Sequence, residues 1–546
     1  MLRRCWGFAI VTIFMLTLAP AWAQNPAYNK DAVKALSQRI DAHLAKAWKK
    51  AKVTPAPKAE DYVFFRRLNL DLTGHIPNLL EIGDFIDNDE ADKRWVWVDK
   101  LLDSPDYPRH FGNVWRNIML GYQTNQQFQF LMPQFENWVR GNVEKNVALD
   151  KMVLNLLTSQ QGNMGFRGGV NFQMQGSPQL FFQANENKAE NLAAATSRVF
   201  LGVKIECAQC HAHPFAKWKQ DQFWEFAAFF STQPQVFRRP GIQPKQAPPA
   251  FTAGREIRVP GTDKIVKAKF LNGKEPKWEG FTNSRQTLAN WVTAPDNPYF
   301  ARAMADHLWS YLMGVGLLEP IMEPSDDIPM THEALLDDLA KALVANNFDA
   351  KFLIRAIVHT DAYQRSSGGA KLADKEDYHL FVRMPIRALS PEQLFDSVEM
   401  ATSSGQKLAV QQPLNPQFFN PNQMQSPRAQ FLTKFQNQDR RHEPQTSILQ
   451  ALFMMNGKHM AEKTRLINND DLKTLAAQPG GHEKRLRSLY MIVLSRPPRA
   501  SELQRLVPYL ERGGSLEKGS PTEKLGSALS DVYWALLNSS EFMHNH

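Results

Sequence analysis

Cysteine is scarce in this sequence: three in 546 residues, at positions 5, 207 and 210. A secreted chain that relies on disulfides scatters several pairs, so a disulfide framework is excluded. Long apolar runs are scarcer still. The one present, residues 6–18, is shorter than the roughly 20 residues a membrane-spanning helix needs, so no stable membrane span is expected. The motifs of the common hydrolases and nucleotide enzymes are missing as well. There is no Gly-x-Ser-x-Gly elbow, no His-Glu-x-x-His pair and no phosphate loop. Gly162, Gly165, Gly168, Gly169 and Gly176 lack the strand-to-helix setting and the Gly-Lys-Ser/Thr ending that a phosphate cradle requires. Nor does charge of one sign accumulate: the formal +9 is dispersed along helices among acids, which speaks against nucleic-acid binding.

Arg3 and Arg4 precede the apolar run, and Ala21, Trp22 and Ala23 follow it as a small-x-small pattern ahead of Gln24. That is the layout of a cleavable secretory signal over residues 1–23, which places the protein in the periplasm or outside the cell. No cysteine stands at the cleavage point for lipid attachment. Removal of the leader lowers the formal charge to +7 and takes Cys5 with it, so Cys207 and Cys210 are the only thiols expected in the mature chain.

The length exceeds what one compact core accommodates, and the patterns divide it into segments. Residues 24–232 read as a helical domain, 233–282 as a Pro-rich linker with a small β insertion near 251–275, and 283–546 as a second helical domain. The fold class is mainly α. Val33, Leu36, Ile40, Leu44 and Trp48 step by three or four and share one helix face. Residues 61–77 read as a helix stopped by Gly74 and turned by Pro77. Further helices are expected near 79–86, 91–102, 111–120, 134–144, 151–158 and 186–200. Residues 161–175 form a loop able to cover a site. Asp221 is the expected cap of an aromatic helix over 222–230. Strand-like alternation occupies 256–259 and 265–270, with Asn272-Gly273 as a turn signal. In the second half Asn297 caps a helix whose first residue is Pro298, ending at Gly314, while Ser390, Pro391 and Gln393 spell a capping box. Phe300, Met304, Trp309 and Tyr311 form a core stripe, and helices recur to residue 537.

Cys207, Ala208, Gln209, Cys210 and His211 form a Cys-x-x-Cys-His string, followed by Ala212, His213, Pro214 and Phe215. Two thiols at this spacing can each form a thioether to one porphyrin vinyl group, and the adjacent imidazole then ligates the iron. The reading is a haem c site with Cys207 and Cys210 as anchors and His211 as the proximal ligand. Apolar helices on both sides suit a buried macrocycle and equally an ordinary core. Zinc is the alternative cofactor: two thiolates with His211 or His213 supply three of four tetrahedral ligands. A Cys207–Cys210 disulfide, as a staple in an interaction or glycan-handling module, is the third possibility. Candidates for the opposite axial position are Met164, Met174, His110 and His307, and an open position permits ligand or peroxide chemistry. Asp326-Asp327 and Asp337-Asp338 are paired in sequence, yet adjacent side chains on a helix point apart, so they read as caps or solvated faces. His332 and His359 stand at helix ends, where capping or dipole contacts suit them better than catalysis. No catalytic residue is assigned.

Three further strings carry a resemblance. Phe64, Arg66, Arg67, Leu70, Asp71, Leu72, Thr73, Gly74 and Pro77 make one. Cys207 to Phe215, with Leu201, Gly202 and Val203 ahead of them, make another. The third lies in residues 297–302, 353–355 and 450–457. Together they resemble a two-domain family of secreted cytochrome-like proteins abundant in planctomycete bacteria, whose domains have no assigned function. The resemblance implies a redox or electron-transfer role with an unknown partner. Some relatives carry an additional amino-terminal cytochrome domain, which this chain lacks.

Overall fold

The computed structural model describes residues 28–121, 132–159, 176–212, 218–232, 254–278, 283–318, 332–368, 378–402, 427–435, 454–455, 457–516 and 518–546. The expected site-covering loop, together with Met164, Met174, His213, Asp326 and Asp327, lies outside these residues. Among the described residues there are 22 α-helices and two small two-stranded sheets, so the protein is mainly α.

The first helix, Lys30–Ala51, shows how the sequence directs the packing. Asn29 accepts the Ala32 N–H at its start, and Val33, Leu36, Ile40, Leu44 and Trp48 turn inward while lysines stay in solvent. Each such buried side chain contributes about 1.5–3 kcal/mol of transfer free energy. The small sheet falls in the expected insertion: β1 (Glu256–Arg258) pairs antiparallel with β2 (Ile265–Lys267), Ile257 opposite Val266. The Asn272-Gly273 turn does form, closed by the Gly273 N–H on Phe270 O, but it follows the hairpin and does not connect its strands. The second sheet, β3 (Arg387–Ala388) with β4 (His544–Asn545), joins segments far apart in sequence. Two residues per strand are too few for any alternation to show.

Two apolar cores result. The larger draws on residues from Val33 to Met384, and the smaller on residues from Leu389 to Phe542, with Leu70 and Ile76 reaching across to it. The helix Asp61–Leu72 therefore belongs to both. Every residue from Phe64 to Leu72 in it is buried, including Arg66, Arg67, Asn69 and Asp71. Gly74, at φ +79°, ends it; a β-carbon there would stand 2.3 Å from His110 Nδ1, so no other residue fits without displacing that ring.

Such a polar helix is tolerable inside because most of its polar groups are bonded, Arg66 Nε, Arg67 Nη2 and Asn69 Oδ1 excepted. Arg387 Nη2 donates to both Asp71 carboxylate oxygens at 3.0 Å, Tyr363 OH donates to Oδ2 at 2.8 Å, and Asn545 Nδ2 donates to Oδ1 at 2.8 Å. Tyr311 OH donates to the Asp71 backbone oxygen at 3.0 Å, and Gln393 Nε2 to Leu70 O at 2.7 Å. Arg66 donates to Val493 O and Phe542 O at 3.0 and 3.1 Å, and Arg67 to Tyr363 O and His546 O. Burial pushes the Asp71 carboxyl up, and the Arg387 charge is the first term opposing it. The capping box at Ser390 forms as read, the Ser390 and Gln393 side chains each bonding the other's N–H at 3.2 and 3.0 Å.

Asp71→Ala leaves the Arg387 guanidinium buried without its carboxylate and is expected to cost about 3–5 kcal/mol, whereas Asp71→Leu with Arg387→Met recovers most of that loss. Urea denaturation of the wild type and both variants checks this, and equal destabilisation by the single and the double variant would contradict it. A second prediction concerns Asp41, whose half-buried carboxylate accepts the Asp361 N–H at 2.9 and 3.1 Å. Burial, with the nearby Asp361 charge adding to it, raises its pKa to about 6. A raised carboxyl pKa stabilises the fold below the unfolded value near 4, and this contribution fades as pH rises through 6. Asp41→Asn should therefore raise stability at pH 7 by about 1 kcal/mol after allowance for solvent screening, with the advantage gone at pH 4. Thermal midpoints of both proteins at the two pH values test the sign.

Candidate functional site

The helix Ala189–Leu201 leads into the cysteine string. It ends at Gly202, φ +65°, where the Gly202 and Val203 N–H groups both turn back to Ser197 O. Val203 and Ile205 are buried in the larger core, which anchors the connection. A single 3-10 turn, Glu206–Gln209, follows. Ala208 points inward and is fully buried, and its N–H closes the turn on Ile205 O at 2.9 Å. Cys207 is half-buried, and Cys210 and His211 are exposed. Both cysteines are free thiols.

The helix Gln220–Ala227 holds this turn by its carbonyls. Trp224 Nε1 donates to Gln209 O at 3.1 Å, and Gln220 Nε2 donates to Gln209 O at 3.2 Å and to Cys210 O at 3.1 Å. Residues 220 and 224 are four apart and share a helix face, so one face grips both carbonyls. Arg198 pairs with Glu206 at 3.2 Å across the connection. At the end of the string His211 Nδ1 lies 2.7 Å from Ala212 O. A carbonyl can only accept, so Nδ1 carries the proton and Nε2 presents its lone pair outward. A ring nitrogen bonded to a carbonyl while its partner stays bare is the arrangement of a ligating histidine.

Several expectations need correction here. Asp221 does not cap the aromatic helix. Lys219 occupies the cap position, its N–H donating to the Gln222 side chain at 2.9 Å, while Asp221 sits inside the first turn and pairs with Lys264 of the hairpin at 2.6 Å. Phe223, Phe226, Phe229 and Phe230 belong to the larger core together with Ala208, while Cys210 and His211 at the end of the string are exposed. Pro298 precedes its helix, Phe300–Met313, although Asn297 Oδ1 does accept the Tyr299 and Phe300 N–H groups.

His110 and His307 are both buried away from an exposed ligand role. His110 Nε2 meets Tyr311 OH, and His307 Nε2 donates to Val199 O at 2.8 Å. Burial holds His307 below the ordinary imidazole range, so its ring is neutral. His332 makes no cap bond, its Nε2 donating to His379 O at 2.7 Å. His359 stacks on Trp95 with ring centres 3.4 Å apart, and burial lowers its pKa to about 3. Asp337 pairs with Arg302 at 3.1 Å and Asp338 with Arg39 at 2.9 Å, each with its own cation, as adjacent residues pointing apart should be. Phe300, Met304, Trp309 and Tyr311 are core residues, as read.

Among the described residues no three His, Cys, Asp or Glu side chains converge as a metal site, and no helix is long and apolar enough to cross a membrane. Two cavities stand out. One, of about 180 Å³, lies between residues 77–80 and Met400, Asp471 and Ile492; the other, of about 10 Å³, touches Asp71, Arg387 and Asn545 and has the size of one water. Neither borders Cys207. The carbonyl grip by Gln220 and Trp224 had no sequence signal beyond their spacing of four.

Comparison of the chain with curated proteins and with solved structures gives no match. Two family models do match. Residues 39–235 match PSCyt2 and residues 284–441 match PSD1, described as proteins of unknown function, DUF1549 and DUF1553. The chain thus carries these two domains of unknown function, in that order from amino to carboxyl end.

Proposed function

We propose that this is an exported c-type haem protein with a redox role, a member of the two-domain cytochrome-like family its motifs resemble. Haem would be attached at Cys207 and Cys210, with His211 as the proximal ligand. The observation carrying this proposal is the chemistry of one short turn: two free thiols followed by an imidazole whose Nδ1 is bonded to Ala212 O, leaving Nε2 for a metal. The order of the two matched domains supports it.

When bound, haem supplies one-electron chemistry at a potential set by its axial ligands and its exposure. The chain's own part is positional. Ala208 and Ile205 fix the turn in the core, Gln220 and Trp224 hold its carbonyls, and the Cys210 thiol is exposed while that of Cys207 is half-buried. The Nε2 atoms of His110 and His307 are engaged elsewhere, so neither would hold the haem through that atom. Exposure of Cys210 and His211 favours exchange with a partner protein over chemistry in a closed pocket.

Expression of the full chain in a host with c-type haem maturation tests the proposal. One haem per chain is expected, with an absorption spectrum that survives acid-acetone extraction. Cys207→Ser with Cys210→Ser should abolish covalent attachment. A colourless product carrying one zinc per chain, or haem retained covalently by the double variant, would overturn it.

A further inference from the structure

Among the described residues the second matched domain presents no group of three His, Cys, Asp or Glu that could hold a metal, yet its helix Phe300–Met313 touches the element that delivers the cysteine string. The helix Phe300–Met313 lies against the last turn of the helix Ala189–Leu201 at two points four residues apart. At one, His307 Nε2 donates to Val199 O at 2.8 Å with both residues buried. At the other, Ala303 lies so close to Gly202 that a β-carbon added there would be 3.4 Å from the Ala303 methyl.

The first contact answers a definite need. The last carbonyls of a helix have no intrahelical donor. Here the Val203 N–H, which could have returned to Val199 O, instead joins Gly202 in bonding Ser197 O. Val199 O is left buried and in want of a donor, and an unmet buried acceptor is costly. The imidazole from the other domain fills that place. The chain then has only the short connection 203–206 before Cys207, with Val203 and Ile205 fixed in the core, so the pose of the helix end passes to the turn.

We infer that His307 is a positioning residue for the Cys207–His211 site, through which the second domain sets the orientation of the turn bearing the two thiols and His211. The inference rests on the haem proposal for its functional meaning, but the contact it invokes can be read with or without haem. Gln at position 307 keeps a donor near the Nε2 position. Leu removes it, and Asn keeps a polar amide that ends short of Val199 O.

The experiment compares His307→Leu and His307→Gln in the full-length protein, by amide hydrogen exchange and, where haem is bound, by reduction potential. Loss of one buried hydrogen bond should speed exchange across residues 203–212 by about tenfold in His307→Leu. His307→Gln should restore it, and the potential should shift in the first variant and return in the second. Should His307→Leu not fold, His307→Asn takes its place in the same comparison. A lowered thermal midpoint with exchange at 203–212 unchanged would reduce His307 to a structural role and overturn the inference. If the wild-type protein carries no haem, the haem proposal fails on that observation alone, and the exchange measurement still decides whether His307 sets the turn.

Discussion

Everything in this molecule leans on the buried pairing of Asp71 with Arg387. A carboxylate this deep is tolerable only with a full set of donors, and Arg387, Tyr363 and Asn545 provide them from three separate stretches of the chain. A buried ion pair of this kind adds little net stability over an apolar substitute, because desolvation offsets most of the attraction. It adds definition. The pairing accepts one arrangement of the helix Asp61–Leu72, β3 and β4, and that arrangement puts Leu70 and Ile76 into the smaller core while Phe64, Phe65, Leu68 and Leu72 fill the larger.

The same logic of satisfied polar groups runs through the candidate site at lower intensity. Four backbone carbonyls around the cysteine string have named partners: Val199 O has His307, Ser197 O has two N–H groups, Gln209 O has Trp224 and Gln220, and Cys210 O has Gln220. The thiols and His211 Nε2 are left without such duties. A turn held by its carbonyls, with Cys210 and His211 exposed, is suited to hold something added later.

How much of this was legible beforehand depended on the range of each signal. Helices with a clean period, such as Lys30–Ala51, were readable because burial of Val33, Leu36, Ile40, Leu44 and Trp48 follows directly from spacing. The Ser390 box was readable because its partners are three residues apart. Asp221 misled because a side chain that looks like a cap lost to Gln222, which returned to the Lys219 N–H, and because Lys264 offered a better partner. The Phe64 to Pro77 motif was visible as a string but opaque as chemistry. Nothing in the string shows that Arg66, Arg67 and Asp71 are buried, because Val493, Phe542, Tyr363 and Arg387, which close over them, lie far off in sequence. Partners hundreds of residues away leave no local trace.

That contrast bears on why the two matched domains occur in one chain. The first domain holds the cysteine string, but the carbonyl at the end of its delivering helix is completed by His307, and the carboxylate of its most polar helix by Arg387 and Asn545. A first domain separated from the rest would expose or orphan each of these groups, at a cost of about 1–3 kcal/mol for a neutral buried acceptor and more for a charged one. The bonds between the halves are therefore internal requirements of the first domain. The second domain acts on the site without contributing a reactive group, by supplying the partners that Val199 O and the Asp71 carboxylate find in this one geometry of the first domain.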